Sequence, residues 1–214
     1  MIELNRIYNE DCLETMSRMD DKSVDLVLTD PPYGVDFGYD VHKDARETFS
    51  EWILPIVDEM LRVGRTVAFT PGITNLFIYP KPKWTCCYFK PGSTRRNGTG
   101  GFNEWEPILV YGEPGRIMTD AKRFPDCVNH VKGKIDHPCP KPINAFRWLI
   151  QMLDGCPIYD PFLGSGTTAI ACIKEGRQWI GSEISPKYCE IAQKRIDQEL
   201  AQTDLFRESS GLSG

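Results

Sequence analysis

The tetrapeptide Asp30-Pro31-Pro32-Tyr33 places a carboxylate, two rigid prolines and an aromatic ring directly after the apolar segment 24–29. Proline has a fixed φ and no N–H, so the tip of this predicted strand is stiff and its carbonyls can accept hydrogen bonds from a ligand. The Asp30 carboxylate and the Pro31 carbonyl can accept both hydrogens of an exocyclic amino group, while the Tyr33 ring can stack on a flat molecule. The tetrapeptide therefore predicts a site for an amine at the carboxyl end of a strand.

A glycine turn forms the second predicted site, where Gly164-Ser165-Gly166 separates a predicted strand from a helix that begins at Thr167. Glycines at this position let backbone N–H groups and the positive end of a helix approach a ligand closely. Glu183 lies nineteen residues after Gly164, at the end of the next predicted strand, which suits a carboxylate that accepts hydrogen bonds from ribose hydroxyls. No lysine follows the turn, so it is not a P-loop, but a dinucleotide oxidoreductase or a purely structural tight turn would also fit this pattern.

Two side chains just before the turn narrow its interpretation. Asp160 and Phe162 add a carboxylate and an aromatic ring where an amino-acid-like ammonium could be held. A nicotinamide oxidoreductase would use the glycine turn and Glu183, but it leaves the Asp30 tetrapeptide without a purpose.

Taken together, the motifs resemble those of the amino-group DNA methyltransferases that use S-adenosylmethionine (SAM). The resemblance runs from about residue 7 to residue 196 and rests on three ordered motifs: Asp30-Pro31-Pro32-Tyr33, the His137-Pro138-x-x-Lys141-Pro142 segment and the turn from Asp160 to Thr168. The tetrapeptide comes first and the SAM turn last, which resembles the circularly permuted β class. The resemblance implies an α/β, Rossmann-like class I methyltransferase fold. Its sheet would be mostly parallel, with seven strands and an antiparallel hairpin.

The resemblance also assigns roles to individual residues. Asp30, Pro31, Pro32 and Tyr33 would hold the target amine, so that its lone pair points at the sulfonium methyl group. The implied SAM-binding residues are Asp11, Lys141, Asp160, Phe162, Gly164, Ser165, Gly166, Thr167 and Glu183. Asp11 also fits a plain helix N-cap, and Lys141 also fits a solvated residue before a helix.

The target base implied by the resemblance is a flipped adenine methylated at N6. Flipping costs a few kcal/mol, of which stacking on Tyr33 could return roughly 1–3 kcal/mol. Cytosine N4 stays open, because the rule that an initial Asp marks adenine enzymes is not strict in the permuted branch. A catalytically silent DNA-binding relative and an RNA amine are further alternatives, whereas cytosine C5 chemistry is disfavoured because no cysteine has a nucleophile-like context.

The charge distribution favours double-stranded DNA as the partner. The net charge is −5, yet residues 79–150 contain twelve basic and six acidic residues, and the remainder contains thirteen basic and twenty-four acidic ones. A basic middle on an acidic body is expected of a protein that presents one face to phosphates, although a solvated charged loop gives the same count. We place target recognition at about residues 91–136 and expect DNA contacts from Lys90, Arg95, Arg96 and Asn97. So short a segment suggests a short target, read by a homodimer.

The coarse pattern alternates strands and helices and predicts one methyltransferase domain over residues 1–201, followed by a disordered tail at 202–214. Predicted strands lie at 6–8, 24–29, 65–70, 84–89, 107–111, 157–159 and 178–181, with helices at 12–19, 49–62, 144–153, 167–175 and from 186. Residues 34–48 are predicted to form an active-site loop.

Eight scattered cysteines without a C-x-x-C pair, and the lack of an apolar leader or membrane segment, predict a reduced, cytoplasmic setting in a bacterial or phage-infected cell. The cluster Cys127, His130, His137 and Cys139 matches no usual zinc spacing, so no metal is predicted.

Overall fold

A computed structural model describes residues 2–34, 48–91, 100–115, 117, 119–124 and 142–209. Its described part contains an eight-stranded sheet with five helices of at least six residues. The strands are β1 Arg6–Tyr8, β2 Val24–Thr29, β3 Gly64–Phe69, β4 Trp84–Phe89, β5 Trp105–Gly112, β6 Ala121–Arg123, β7 Ile158–Asp160 and β8 Trp179–Ser182. The helices are α1 Cys12–Ser17, α2 Phe49–Val63, α3 Ile143–Leu153, α4 Thr167–Lys174 and α5 Pro186–Ser209.

The sheet has the strand order β1-β8-β7-β2-β3-β5-β4-β6. All neighbouring pairs are parallel except β3–β5 and β5–β4, so the predicted mostly parallel sheet with an antiparallel pair is confirmed. The predicted count of seven strands was wrong by one. The extra strand, β6, has three exposed residues and no alternation of apolar side chains, which is why its sequence pattern gave no signal.

The described residues form two hydrophobic clusters, one on each face of the sheet. Helices α1 and α2 cover one face together with Val27, Val67 and Leu109. Helices α3, α4 and α5 cover the other face, where Leu28 and Ile108 lie. Because side chains alternate along a strand, this division fixes which face each strand-end residue occupies.

Local sequence explains how the helices begin and end. Asp11 caps α1 by accepting a hydrogen bond from the Leu13 N–H at 2.8 Å. Ser185 precedes Pro186 at the start of α5, and its carbonyl accepts from the Cys189 N–H at 3.0 Å. Helix α5 continues to Ser209, so residues 202–209, for which the sequence predicted disorder, are helical. No helix of the described residues has both the length and the apolar character needed to cross a bilayer.

Parallel strands place their carboxyl ends at one edge of the sheet. The residues that end or follow β1, β8, β7, β2 and β3 therefore meet at this edge. They include Asp11, Glu183, Asp160, Asp30 and Thr70, although these residues lie far apart in the sequence.

Candidate active site

Asp30 is held at the tip of β2 by two hydroxyl groups. The Tyr33 and Thr70 hydroxyls both donate to Oδ1 of Asp30, and the two hydroxyl oxygens lie 3.1 Å apart. Thr70 is buried and follows β3, so its hydroxyl is fixed by the sheet itself. Two converging donors set the plane of the Asp30 carboxylate before any ligand arrives, which is the preorganisation that an amine-binding site requires.

The Tyr33 ring packs on a glycine. A Cβ atom on Gly72 would lie 3.2 Å from Cγ and Cδ1 of Tyr33, so only glycine lets the ring rest here, and the φ of 72° at Gly72 also favours glycine. The side chain of Asn75 donates to the Tyr33 carbonyl at 2.7 Å. Burial, followed by the negative charges of Asp30 and Glu106, raises the pKa of Tyr33 well above its ordinary value, which keeps its hydroxyl protonated.

The two prolines between Asp30 and Tyr33 differ in exposure: Pro31 is buried and Pro32 is half-buried. The structure thus brings the four residues of the predicted tetrapeptide together with Thr70, Gly72 and Asn75.

Asp160 ends β7, the strand beside β2, and its carboxylate is buried. Oδ1 accepts from the Thr29 hydroxyl at 2.5 Å and from the Phe162 N–H at 3.0 Å, while Oδ2 accepts from the Thr168 hydroxyl. Burial raises the pKa of Asp160 to about 6, despite hydrogen bonds that favour the charged form. The nearby Asp30 contributes in the same direction, which is consistent with two carboxylates at adjoining strand ends.

Phe162 lies beside an aromatic side chain that comes from α2. Its ring centroid is 5.8 Å from that of Trp52, and Trp52 in turn lies 6.0 Å from Phe49. Both Phe162 and Trp52 are half-buried, so they form an aromatic wall next to Asp160.

The glycine turn has the backbone that its sequence predicts. Gly164 and Gly166 have φ values of 54° and 85°, which favour glycine. A Cβ atom on Gly166 would lie 3.1 Å from Cβ of Ala192 in α5, so the turn packs directly on that helix. Arg195 of the same helix donates to the Ser165 carbonyl at 2.5 Å and to the Ser165 hydroxyl at 2.8 Å. Burial lowers the pKa of the Arg195 guanidinium.

Glu183 connects the turn to α5. Its carboxylate accepts from the Gly164 N–H and from the Ser185 N–H, both at 2.8 Å, and burial raises its pKa. A carboxylate can accept about four hydrogen bonds, so these two do not exhaust it. Across the edge, the Asn9 amide donates to the Glu183 carbonyl at 2.9 Å, which ties the end of β1, and with it Asp11, to the same corner.

Thr167 and Thr168 open α4 and are both buried. The side chain of Thr168 completes the Asp160 cluster, whereas that of Thr167 lies at the positive end of the helix. All the predicted cofactor residues except Lys141, which lies outside the described residues, are therefore at one edge of the sheet.

Of the four predicted DNA-contacting residues, Lys90 alone lies within the described part of the chain. Arg95, Arg96 and Asn97 lie outside the described residues, as do the Cys127–Cys139 cluster and residues 35–47 of the active-site loop predicted at 34–48. Lys90 is described, and its position differs from that expected of a phosphate contact: its side chain is 14% exposed and forms an ion pair with Glu106, whose side chain is 3% exposed. Where the structure describes the chain, it contains no group of three or more potential metal ligands.

Several residues of the site were missed by sequence reasoning, because each comes from a different element and acts through a contact distant in sequence. They are Thr29, Trp52, Thr70, Asn75 and Arg195. One signal was available: Thr29 and Thr70 each end a predicted strand, where polar side chains face the shared edge.

Comparison with known proteins agrees with this geometry. A family model of the N6/N4 type, described as DNA methylase, matches residues 73–194. "Putative methylase YubD" of Escherichia coli (strain K12) is 28% identical over 211 residues, covering 90% of each chain. The type II methyltransferase M.BamHI of Bacillus amyloliquefaciens is 26% identical, covering 91% of this chain and 57% of its own.

Solved structures with the same fold include the PvuII DNA methyltransferase (cytosine-N4-specific), with a TM-score of 0.67, 16% identity and coverage of 90% of this chain and 86% of that one. The M1.HpyAVI–SAM complex has a TM-score of 0.61 and 22% identity, and the match covers 91% of this chain and 100% of that one. The fold, the two sites at one sheet edge and the family match over more than half of the chain lead to one conclusion: the chain belongs to the N6/N4 family of DNA methylases.

Proposed function

We propose that the chain transfers a methyl group from SAM to the exocyclic N6 of an adenine that has been flipped out of duplex DNA. The observation that carries this proposal is the Asp30 carboxylate, fixed by the Tyr33 and Thr70 hydroxyls at a strand end beside Asp160. One carboxylate is oriented for an amine, and the other lies at the start of a glycine turn suited to a nucleoside cofactor.

The residues of the turn fit SAM chemically. Gly164 and Gly166 allow close approach of a ligand to the backbone, and Glu183 offers acceptor sites for ribose hydroxyls. Asp160 would face the amino-acid ammonium, and the wall of Phe162 and Trp52 would lie against the sulfonium. When bound, SAM supplies an electrophilic methyl group.

The chain's own contribution is to orient the amine. An exocyclic amine conjugated to the ring is a poor nucleophile, because its lone pair is delocalised. Hydrogen bonds from the two amine hydrogens to Asp30 and to the Pro31 carbonyl favour a pyramidal nitrogen, so positioning and electrostatics supply the acceleration. The reaction breaks the sulfur–methyl bond, forms a nitrogen–methyl bond and releases one proton from the amine.

Cytosine N4 is the second candidate. Both bases present an NH₂ group beside a ring nitrogen, and acceptors at Asp30 and Pro31 bind that NH₂ group equally in either. The Asp at the first position of the tetrapeptide supports adenine through the family resemblance.

The test is to incubate the protein with SAM and mixed-sequence duplex DNA and to analyse the digested nucleosides by mass spectrometry. We expect N6-methyldeoxyadenosine from the wild type, none from Asp30→Ala, and normal yield from Asp58→Asn, which changes an exposed carboxylate of α2. N4-methyldeoxycytidine in place of N6-methyldeoxyadenosine would show that the target base is cytosine, and the absence of any methylated nucleoside would overturn the proposal.

The cofactor assignment is tested by calorimetric titration of SAM. Glu183→Ala should weaken SAM binding, whereas Glu190→Ala, which truncates an exposed glutamate of α5, should not. Unchanged affinity in the Glu183 variant would contradict the assignment.

We further propose that residues 91–136 read a short target sequence and that two copies of the chain act together on it. A long, asymmetric target would contradict this.

A further inference from the structure

A buried ion pair lies at the same sheet edge but has no part in orienting the amine. Nζ of Lys90 contacts Oε2 of Glu106, and the side chains are 14% and 3% exposed. Removing two charges from water costs several kcal/mol per ion. Two apolar side chains would therefore fill these positions at a lower cost in free energy if their role were only structural. The pair is therefore a candidate for a role in ligand recognition.

The pair and Asp30 occupy the same face of the sheet. Leu28 of β2 and Ile108 of β5 belong to the core cluster under α3, α4 and α5. Since side chains alternate, Asp30 and Glu106, each two residues away from these, point to that face as well. Lys90 reaches it from the end of β4.

The register of the strands sets the spacing between the two groups. Phe69 of β3 pairs with Leu109 of β5, so continuing the register places Glu106 level with Gly72, the glycine on which the Tyr33 ring packs. Strand β3 separates β2 from β5, which makes the sideways distance between Asp30 and Glu106 about 10 Å. Glu106 also lies about 7 Å further toward the edge.

Tyr33 lies between them. The pKa of Tyr33 is raised mainly by burial, to a smaller extent by the charge of Asp30, and then by the charge of Glu106. Glu106 therefore lies within electrostatic reach of the Tyr33 ring. A flat base beside Tyr33 with its amine on Asp30 therefore turns its opposite edge toward the ion pair.

We propose that Lys90, oriented by Glu106, donates a hydrogen bond to the ring nitrogen of adenine that lies opposite the amino group, namely N3. This inference rests on the proposed function. An ammonium has three donors, and within the described residues one of them is directed to Glu106. In cytosine the ring atom opposite the amine is the glycosidic nitrogen, which cannot accept, so the contact selects adenine.

The experiment compares duplexes that contain adenine or 3-deazaadenine at the mapped target position. Replacing N3 by C–H should lower the kcat/KM of the wild type about tenfold or more. In Lys90→Met, activity on adenine should fall by a similar factor, and the deaza substitution should then add less than about twofold. Lys194→Met, which changes an exposed lysine of α5, should keep the full deaza effect.

A second variant addresses folding, since Lys90→Met leaves Glu106 without the ammonium. Lys90→Met combined with Glu106→Gln removes both charges, and we expect the same insensitivity to the deaza base. The inference is overturned if 3-deazaadenine still lowers kcat/KM tenfold in both variants. It is also overturned if the wild type methylates adenine and 3-deazaadenine equally well. An absence of methylated adenine from the wild type would instead refute the proposed function.

Discussion

Asp160→Asn tests whether the protein keeps a buried charge for its cofactor. Burial raises the pKa of Asp160 from 3.8 to about 6. A difference of about 2 pH units corresponds to roughly 3 kcal/mol of stability that the folded protein has at low pH and loses as the pH rises through 6. The sign follows from proton uptake, because between these pH values the folded state binds more protons at Asp160 than the unfolded state does.

The variant should therefore be less sensitive to pH than the wild type. Asparagine is never charged, and its amide can still bond to the Thr29 and Thr168 hydroxyls, which donate or accept. For a pKa of about 6, the unfolding free energy of the variant relative to wild type should increase by about 1.4 kcal/mol between pH 5 and pH 8. The measurement is urea unfolding at several pH values, with Asp58→Asn as the exposed control.

The same variant should bind SAM at least about tenfold more weakly at pH 8, because a neutral amide replaces the charged partner of the ammonium. Stability that rises relative to wild type with increasing pH, together with a loss of affinity, is the expected trade-off at a binding site. If the two proteins show the same pH dependence of stability, Asp160 does not titrate near 6. Equal SAM affinity would refute the contact with the ammonium.

Three further changes test other parts of the site and core. Thr70→Val removes one of the two hydroxyls on Asp30 and should lower kcat/KM about tenfold with SAM affinity unchanged; an unaltered rate would contradict the orienting role. Gly166→Ala introduces a Cβ atom at a φ of 85° against Ala192, so stability should fall by about 1–2 kcal/mol and SAM should bind more weakly in titrations. Tyr79→Phe removes a buried hydroxyl that has no hydrogen-bond partner among the described residues. The free energy of unfolding, measured by thermal denaturation, should therefore stay the same or rise by up to about 1 kcal/mol. A clear loss of stability would show that the hydroxyl does form a hydrogen bond.

The sequence predicted the elements whose signals are local. The bounds of β2 at Val24–Thr29 and of β4 at Trp84–Phe89 agree with the structure, because each is a compact apolar or aromatic run followed by a proline or a charged residue. The start of α1 was predicted by the capping side chain of Asp11. Strand β6 and the final turns of α5 were missed, since neither has an apolar pattern that distinguishes it from a polar segment.

The site was predictable only in part for a similar reason. Short motifs identified Asp30, Asp160 and Glu183, but the groups that orient them come from other strands and helices. The hydroxyl of Thr70 reaches Asp30 across forty residues of sequence, and Arg195 reaches the glycine turn across thirty. Such partners become visible only when the strand order and register are known.

The pairing of β1 with β8 has a consequence for synthesis of the protein. Asn9 and Glu183, which meet at the carboxyl edge of the sheet, are separated by 174 positions in the chain. At ribosomal rates of about 5–20 residues per second, β1 waits on the order of ten seconds for β8, the one strand that pairs with it among the described residues. During that interval the residues of β2 and Asp30 have already been synthesised, whereas Glu183 has not. The corner that Asn9 and Glu183 form is therefore among the last parts of this sheet edge to be completed during synthesis.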